Sequence, residues 1–142
     1  MLVESMKSVT TYLNFNGACR PAMTFYAECL GGELELVAVP DEQGQPSKDA
    51  AARIMHSRVV KNGIPLVMGS DIQPGSKFHL GNNFSVSIDC EDVAEIERLF
   101  AALLVQRGKV IQPLADAPWG ARFGMLIDQF STQWMLNCDL RK

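Results

Sequence analysis

Apolar and polar positions along this chain follow one short plan written twice. From Thr10 to Phe15 they alternate, with Leu13 and Phe15 on one side and Thr10, Tyr12 and Asn14 on the other, the period of two of a half-buried strand. From Cys19 to Leu30 the apolar residues Ala22, Met23, Phe25, Tyr26, Cys29 and Leu30 recur at steps of three and four, which predicts an amphipathic helix ended by Gly31-Gly32. Pro21 sits in its first turns, where a missing N–H costs little. Leu34 to Val39 reads as a short strand, and Pro40 to Ala50 as a polar loop. Arg53 to Val60 and Ile64 to Met68 flank Lys61-Asn62-Gly63, where Asn-Gly suits a tight hairpin.

After a second polar loop, Asp71 to Gly81, the plan restarts. Phe84, Val86 and Ile88 alternate with Asn83, Ser85 and Ser87, so the apolar side should meet a helix and the small polar side should look elsewhere. Glu91 to Gln106 carries Val93, Ile96, Leu99, Phe100, Leu103 and Leu104 at helical spacing. Val110-Ile111, Phe123 to Ile127 and Gln133 to Asn137 supply three more strands, with Ala115 to Gly120 as a loop. Asn16 and Gly32 stand sixteen residues apart, as do Asp92 and Gly108, and each pair suits the start and stop of one helix. The expected fold is α+β: a single domain over residues 1–142, built of two βαβββ modules at 9–72 and 82–140.

Composition narrows the function classes. With 47% hydrophobic and 20% charged residues, 142 residues can bury a core. A net charge of −3 with no basic run argues against a nucleic-acid surface. No stretch approaches the apolar length of a membrane helix, and Met1 to Ser8 lacks a leader pattern, which points to a cytoplasmic protein with no membrane partner. Cys19, Cys29, Cys90 and Cys138 show no C-x-x-C spacing and read as reduced, buried thiols.

Several stretches together resemble the vicinal oxygen chelate superfamily, which includes glyoxalase I, bleomycin-resistance proteins and extradiol dioxygenases, and within it the PhnB-like group. They are Tyr12 to Gly17, Ala22 to Tyr26 and Leu30 to Gly32, then Ile54-Met55-His56, Leu66 to Met68 with Ser70-Asp71, Trp119 to Gly124, and Asp128 to Asn137. The resemblance implies paired βαβββ modules making an open, curved mixed sheet whose concave side holds a small-molecule ligand, in a homodimer. It also implies that four positions on the first and last strand of each module supply His, Gln or Glu to a divalent ion. Here those positions fall at Thr10 or Thr11, at Val67 or Met68, at Asn83 and at Met135. The neighbours Leu66, Phe84, Trp134 and Leu136 are no better as donors, so the expectation is a chain without that metal and without another cofactor.

The candidate ligand-binding residues are then Tyr12, Asn14, His56, Asn83, Ser85, Trp119, Arg122 and Met135. Alternation puts Tyr12, Asn14, Asn83, Ser85, Ser87, Gln133, Met135 and Asn137 on the side away from the helices, a mixed lining suited to a small organic molecule. His56, in step with Ile54 and Arg58, is either a hydrogen-bonded structural histidine or a pocket acid or base; it is the one catalytic candidate. His79 reads as a solvated loop residue. Trp119 and Arg122 flank Gly120, where a ring and a guanidinium either clasp an aromatic or anionic ligand or serve packing and an ion pair. Asp128 should stabilise the turn from Gln129 to Thr132.

Three functions follow. The first is metal-free binding of a small organic molecule, as the bleomycin-resistance resemblance suggests. The second is a lyase, isomerase or dioxygenase using a displaced metal or His56. The third is the 3-demethylubiquinone 3-methyltransferase label carried by relatives of this type; it has no glycine-rich loop after a first strand in its favour.

Overall fold

The computed structural model describes residues 7–141, so most of the leader reading over Met1 to Ser8 lies outside the described residues. The chain divides into two units after Phe78, and each carries one βαβββ module. In the first unit these are β1 (Tyr12–Phe15), α1 (Cys19–Leu30), β2 (Glu33–Ala38), β3 (Ile54–Lys61) and β4 (Ile64–Asp71). The strands lie in the order β1-β4-β3-β2, with β1 and β4 parallel and the other pairs antiparallel.

Leu13, Phe15, Ile54, Val59 and Val67 bury against Cys19, Ala22, Met23 and Tyr26 of α1, and each large side chain so buried contributes about 1.5–3 kcal/mol. Asn62 and Gly63 both take positive φ (52° and 77°), the turn expected between β3 and β4.

Three details differ from the sequence pattern. Residue Asn16 does not cap α1; its N-cap is Ala18, which offers no side-chain bond, and Gly31 rather than Gly32 takes the left-handed C-cap. The reason is distant in sequence: Asp71 Oδ1 accepts from Gly17 N at 2.7 Å and Cys19 N at 3.1 Å, doing the work of a local cap. A register slip between Val37 and Ala38 then leaves Met55 as an extra residue, because Val37 pairs with His56 and Ala38 with Ile54. Ile54 is therefore buried with Ser57 and Val59, while His56 and Arg58 turn to the other face, so Ile54 and His56 are not in step.

The second unit holds β5 (Val86–Cys90), α2 (Val93–Leu104), β6 (Lys109–Ala117), β7 (Ala121–Ile127) and β8 (Gln133–Asp139), ordered β5-β8-β7-β6 with β5 and β8 parallel. Here the predicted cap is present: Asp92 accepts from Glu95 N at 2.8 Å, and Glu95 in turn accepts from Glu91 N. Ile96, Leu99, Phe100 and Leu103 of α2 cover Leu126, Trp134, Leu136 and Cys138.

Gly108 is not a helix cap, since α2 ends at Leu104 and Gln106 takes the positive φ. Phe84 precedes β5 and is 62% exposed, outside the apolar face expected of it. The expected loop from Ala115 is also shorter: β6 runs to Ala117, passing Pro113 with two register slips, as an edge strand can.

Candidate functional site

Each sheet has one face under its helix and one open face. On the first sheet, register sets Tyr12 beside Met68, Met68 beside Arg58 and Arg58 beside Glu35. Asn14 pairs with Ser70 one step along. Tyr12 Oη and His56 Nδ1 are 3.1 Å apart and their rings stack with centroids at 5.8 Å, so the bulge at Met55 brings two of the predicted residues into contact from 44 positions apart. The hydroxyl donates if Nε2 carries the ring proton and accepts if Nδ1 does; either way the imidazole orientation is fixed. Arg58 pairs with Glu35 at 2.7 Å in an exposed bridge, a contact that adds about 0–1 kcal/mol to stability.

On the second sheet Met135 lies between Ser87 and Met125, and Asn137 between Asp89 and Phe123. Trp119, half exposed in the turn before β7, meets Phe123 edge to face at 5.7 Å. The open face is thus a thioether and aromatic surface edged by a hydroxyl and an amide. Phe123 and Met125 were not singled out from the sequence, although they alternate in step and pair with Asn137 and Met135.

The remaining candidates lie apart. Asn83 and Ser85 precede β5, the first exposed and the second half-buried. Arg122 is held at 2.9 Å by both Asp116 and Glu97 of α2, which draws it to the helix side of the sheet. The Asp116 hydrogen bond and charge hold its guanidinium above the usual arginine range, with Glu97 adding in the same direction. Its Nε and Nη1 donate to these carboxylates, and the ion-pair reading of Arg122 describes its geometry. His79 is exposed, as expected of its loop.

The positions at which relatives would hold a divalent ion do not fit one. Met68 faces Tyr12 across the first sheet and Met135 faces Ser87 across the second, while Thr10, Thr11 and Asn83 precede their strands. A catalytic divalent ion of this kind takes imidazole and carboxylate donors, and thioethers favour softer metals. Among the described residues no group of three or more His, Cys, Asp or Glu could hold a metal.

Cys19 and Cys90, both buried, are held in the thiol form. Burial pushes the Cys19 thiol from an ordinary 9.0 up to about 11; the bond to Ser57 opposes this and Asp71 adds to it. The Ser57 hydroxyl, which donates to Gly69 O at 2.8 Å, lies 3.4 Å from Cys19 Sγ. Cys90 is pushed to about 11 as well, by burial first and then by Glu95.

A rise of this size means about 100-fold less thiolate near neutral pH, so Cys19 should react about 100-fold more slowly with an aromatic disulfide reagent at pH 8 than in urea-unfolded chain. Because the folded value lies above the unfolded one, the associated stability is complete below about pH 9 and is lost as pH rises toward 11. Rapid stoichiometric labelling of native Cys19, mapped by mass spectrometry, would contradict this.

Residues 7–137 match the family described as 3-demethylubiquinone-9 3-methyltransferase. The chain belongs to that family. Its relatives include Protein YjdN of Escherichia coli K12, 29% identical over 140 residues that cover 91% of this chain and 93% of that one. Protein PA1353 from Pseudomonas aeruginosa is 37% identical, covers 94% and 98% of the two chains, and superposes with a TM-score of 0.79. A Bacillus cereus protein titled as a putative 3-demethylubiquinone-9 3-methyltransferase, PhnB protein, is 27% identical, with coverage of 93% and 99% and a TM-score of 0.68.

Solved structures titled as glyoxalase, bleomycin resistance or dioxygenase proteins share the fold alone. One from Nocardioides is 18% identical with a TM-score of 0.55, covering 98% of this chain and 88% of its own. One from Bacillus cereus is 13% identical with a TM-score of 0.69, covering 99% of each. Their fold is the one that the resemblance to glyoxalase, bleomycin-resistance and dioxygenase proteins implies. No helix among the described residues is long and apolar enough to cross a membrane.

Proposed function

We propose that this chain binds a small organic molecule on its open sheet faces without the divalent ion that metal-dependent relatives use. The observation that carries the reading is the pairing of donor-poor centres with organised polar neighbours: Met68 stands beside Tyr12 and its partner His56, and Met135 beside Ser87. A flat, amphipathic molecule can pack on thioether and aromatic surface while its polar edge meets hydroxyl, imidazole and amide groups. Tyr12, Asn14, His56, Trp119 and Met135 belong to this reading. The homodimer that the resemblance implies and the cytoplasmic location expected from the sequence belong to it too.

A second reading has one observation in its favour. The Tyr12–His56 contact is a hydrogen-bonded phenol–imidazole pair on an accessible face, which suits an isomerase or lyase acting through His56. The methyltransferase description is the third and least supported reading: each sheet has a single parallel strand pair, whereas a dinucleotide-type cofactor site lies at the strand ends of a mainly parallel sheet.

The test is metal analysis of the purified chain, with thermal-shift screening of small aromatic compounds before and after chelation. The expected result is substoichiometric metal, a stabilising compound unaffected by chelation, and loss of that stabilisation in Tyr12→Phe and His56→Gln. Stoichiometric nickel, zinc, iron or manganese, removed together with binding by chelation, would overturn it.

A further inference from the structure

The second unit contains a cleft of about 490 Å³ that none of the candidate residues lines. Its floor is the last row of the open sheet face, where Gln133 of β8 pairs with Ile127 of β7 and Ile127 with Lys109 of β6. Arg107, in the segment leading into β6, joins Lys109 on the lining. Leu80, Gly81 and Asn82 form another part of the wall, and the turn through Asp128, Gln129 and Ser131 closes the lining.

Charge distinguishes this cleft from the rest of the face. Neither Arg107 nor Lys109 has a hydrogen-bond or ion-pair partner among the described residues, whereas Arg53, Arg58, Arg122 and Arg141 all do. The one acidic lining residue, Asp128, is 3% exposed and its two oxygens accept from Phe130 N, Thr132 N and Trp134 Nε1. It is turned to the turn and the core and leaves the two cations unneutralised. Asn82, Gln129 and Gln133 bring amide groups, Ser131 a hydroxyl, and Leu80 and Ile127 apolar surface. Gln133 Nε2 already donates to Phe84 O.

We propose that this cleft binds a small organic dianion of the phosphate-monoester type, its oxyanion held between Lys109 and Arg107 and its organic part against Leu80 and Ile127. Two unpaired cations favour a dianion over a monoanion, and a guanidinium fork matches phosphate oxygens. The proposal stands apart from metal-free binding around Tyr12 and Met135, and the two cations that its double variant removes have no part in that reading.

The experiment is NMR titration of the full chain at low ionic strength with phenyl phosphate, inorganic phosphate and benzoate. Phenyl phosphate should bind saturably, shifting the amides of Lys109, Gln129, Ser131 and Gln133, and more tightly than either other probe. The exposed-residue double variant Arg107→Gln/Lys109→Gln should bind about tenfold or more weakly, the loss expected for two charge-assisted contacts. Lys48→Gln/Lys77→Gln, with the same change in net charge, should bind as the parent does. Absence of saturation, shifts centred elsewhere, equal loss in both double variants, or benzoate matching phenyl phosphate would each overturn the proposal.

Discussion

Asp128→Ala is expected to lower the unfolding free energy by about 3 kcal/mol or more, because one carboxylate joins a turn to the core of the second unit. Oδ1 accepts from Phe130 N at 2.7 Å and Thr132 N at 3.1 Å, closing the β7–β8 turn; Oδ2 accepts from Trp134 Nε1 at 2.7 Å. Trp134 is fully buried, so its indole N–H would lose this acceptor where water cannot replace it. The same turn holds Ser131 at a φ of 70°, a conformation that costs a non-glycine residue energy unless its surroundings impose it.

For a domain of this size 3 kcal/mol corresponds to a fall in Tm of about 10 °C, measurable by calorimetry. Asp128→Asn should fall between the parent and alanine, since its one remaining oxygen cannot serve both the turn and the indole. An alanine variant within about 0.5 kcal/mol of the parent would show that Asp128 is an ordinary surface turn residue.

Asp128 also marks the boundary of what a sequence can convey. Its place ahead of Gln129 to Thr132 was enough to assign it to the turn, because Asp–backbone bonds of that kind are local. The bond to Trp134 is part of the same device but depends on how β8 presents its indole. The second helix was legible for the same reason, as Asp92 and Glu95 act within one turn. Alternation likewise identified the open faces, on which Tyr12, Asn14 and Met135 stand.

What escaped the pattern depends on contacts between distant segments. One extra residue at Met55 reverses the phase of β3 and takes His56 off the face of Ile54; nothing in the alternation of Arg53 to Val60 announces it. Tyr12 and His56 lie 44 positions apart, and only the parallel β1–β4 pairing with β3 beside it brings them together. Arg122 was placed by its nearness to Gly120, whereas Glu97 on α2 decides where its guanidinium lies. The cleft beside Lys109 is assembled from three separate segments and has no local signature.

The helix cap missing from α1 gives the second large effect: Asp71→Ala should cost about 2–3 kcal/mol, with the damage concentrated at the start of α1 and of β3. Asp71 closes β4, and its Oδ1 accepts from Gly17 N and Cys19 N while Oδ2 accepts from Ile54 N at 2.9 Å. A negative group at this helix start is favourable to the helix dipole as well as to its unpaired N–H groups. Ala18 cannot replace it, having no side-chain acceptor.

Asp71→Asn separates the two roles. Its carbonyl oxygen can keep the bonds to Gly17 and Cys19, but its amide would then turn a donor toward Ile54 N, so an intermediate loss is expected. Amide hydrogen exchange provides the local reading: Asp71→Ala should speed exchange at Cys19 and Ile54 while leaving Glu95, whose cap is Asp92, at the parent rate. Unchanged protection at Cys19 and Ile54 would mean that α1 needs no cap from β4. Faster exchange there would show that the first module is tied together by an acid 52 residues beyond the helix it starts.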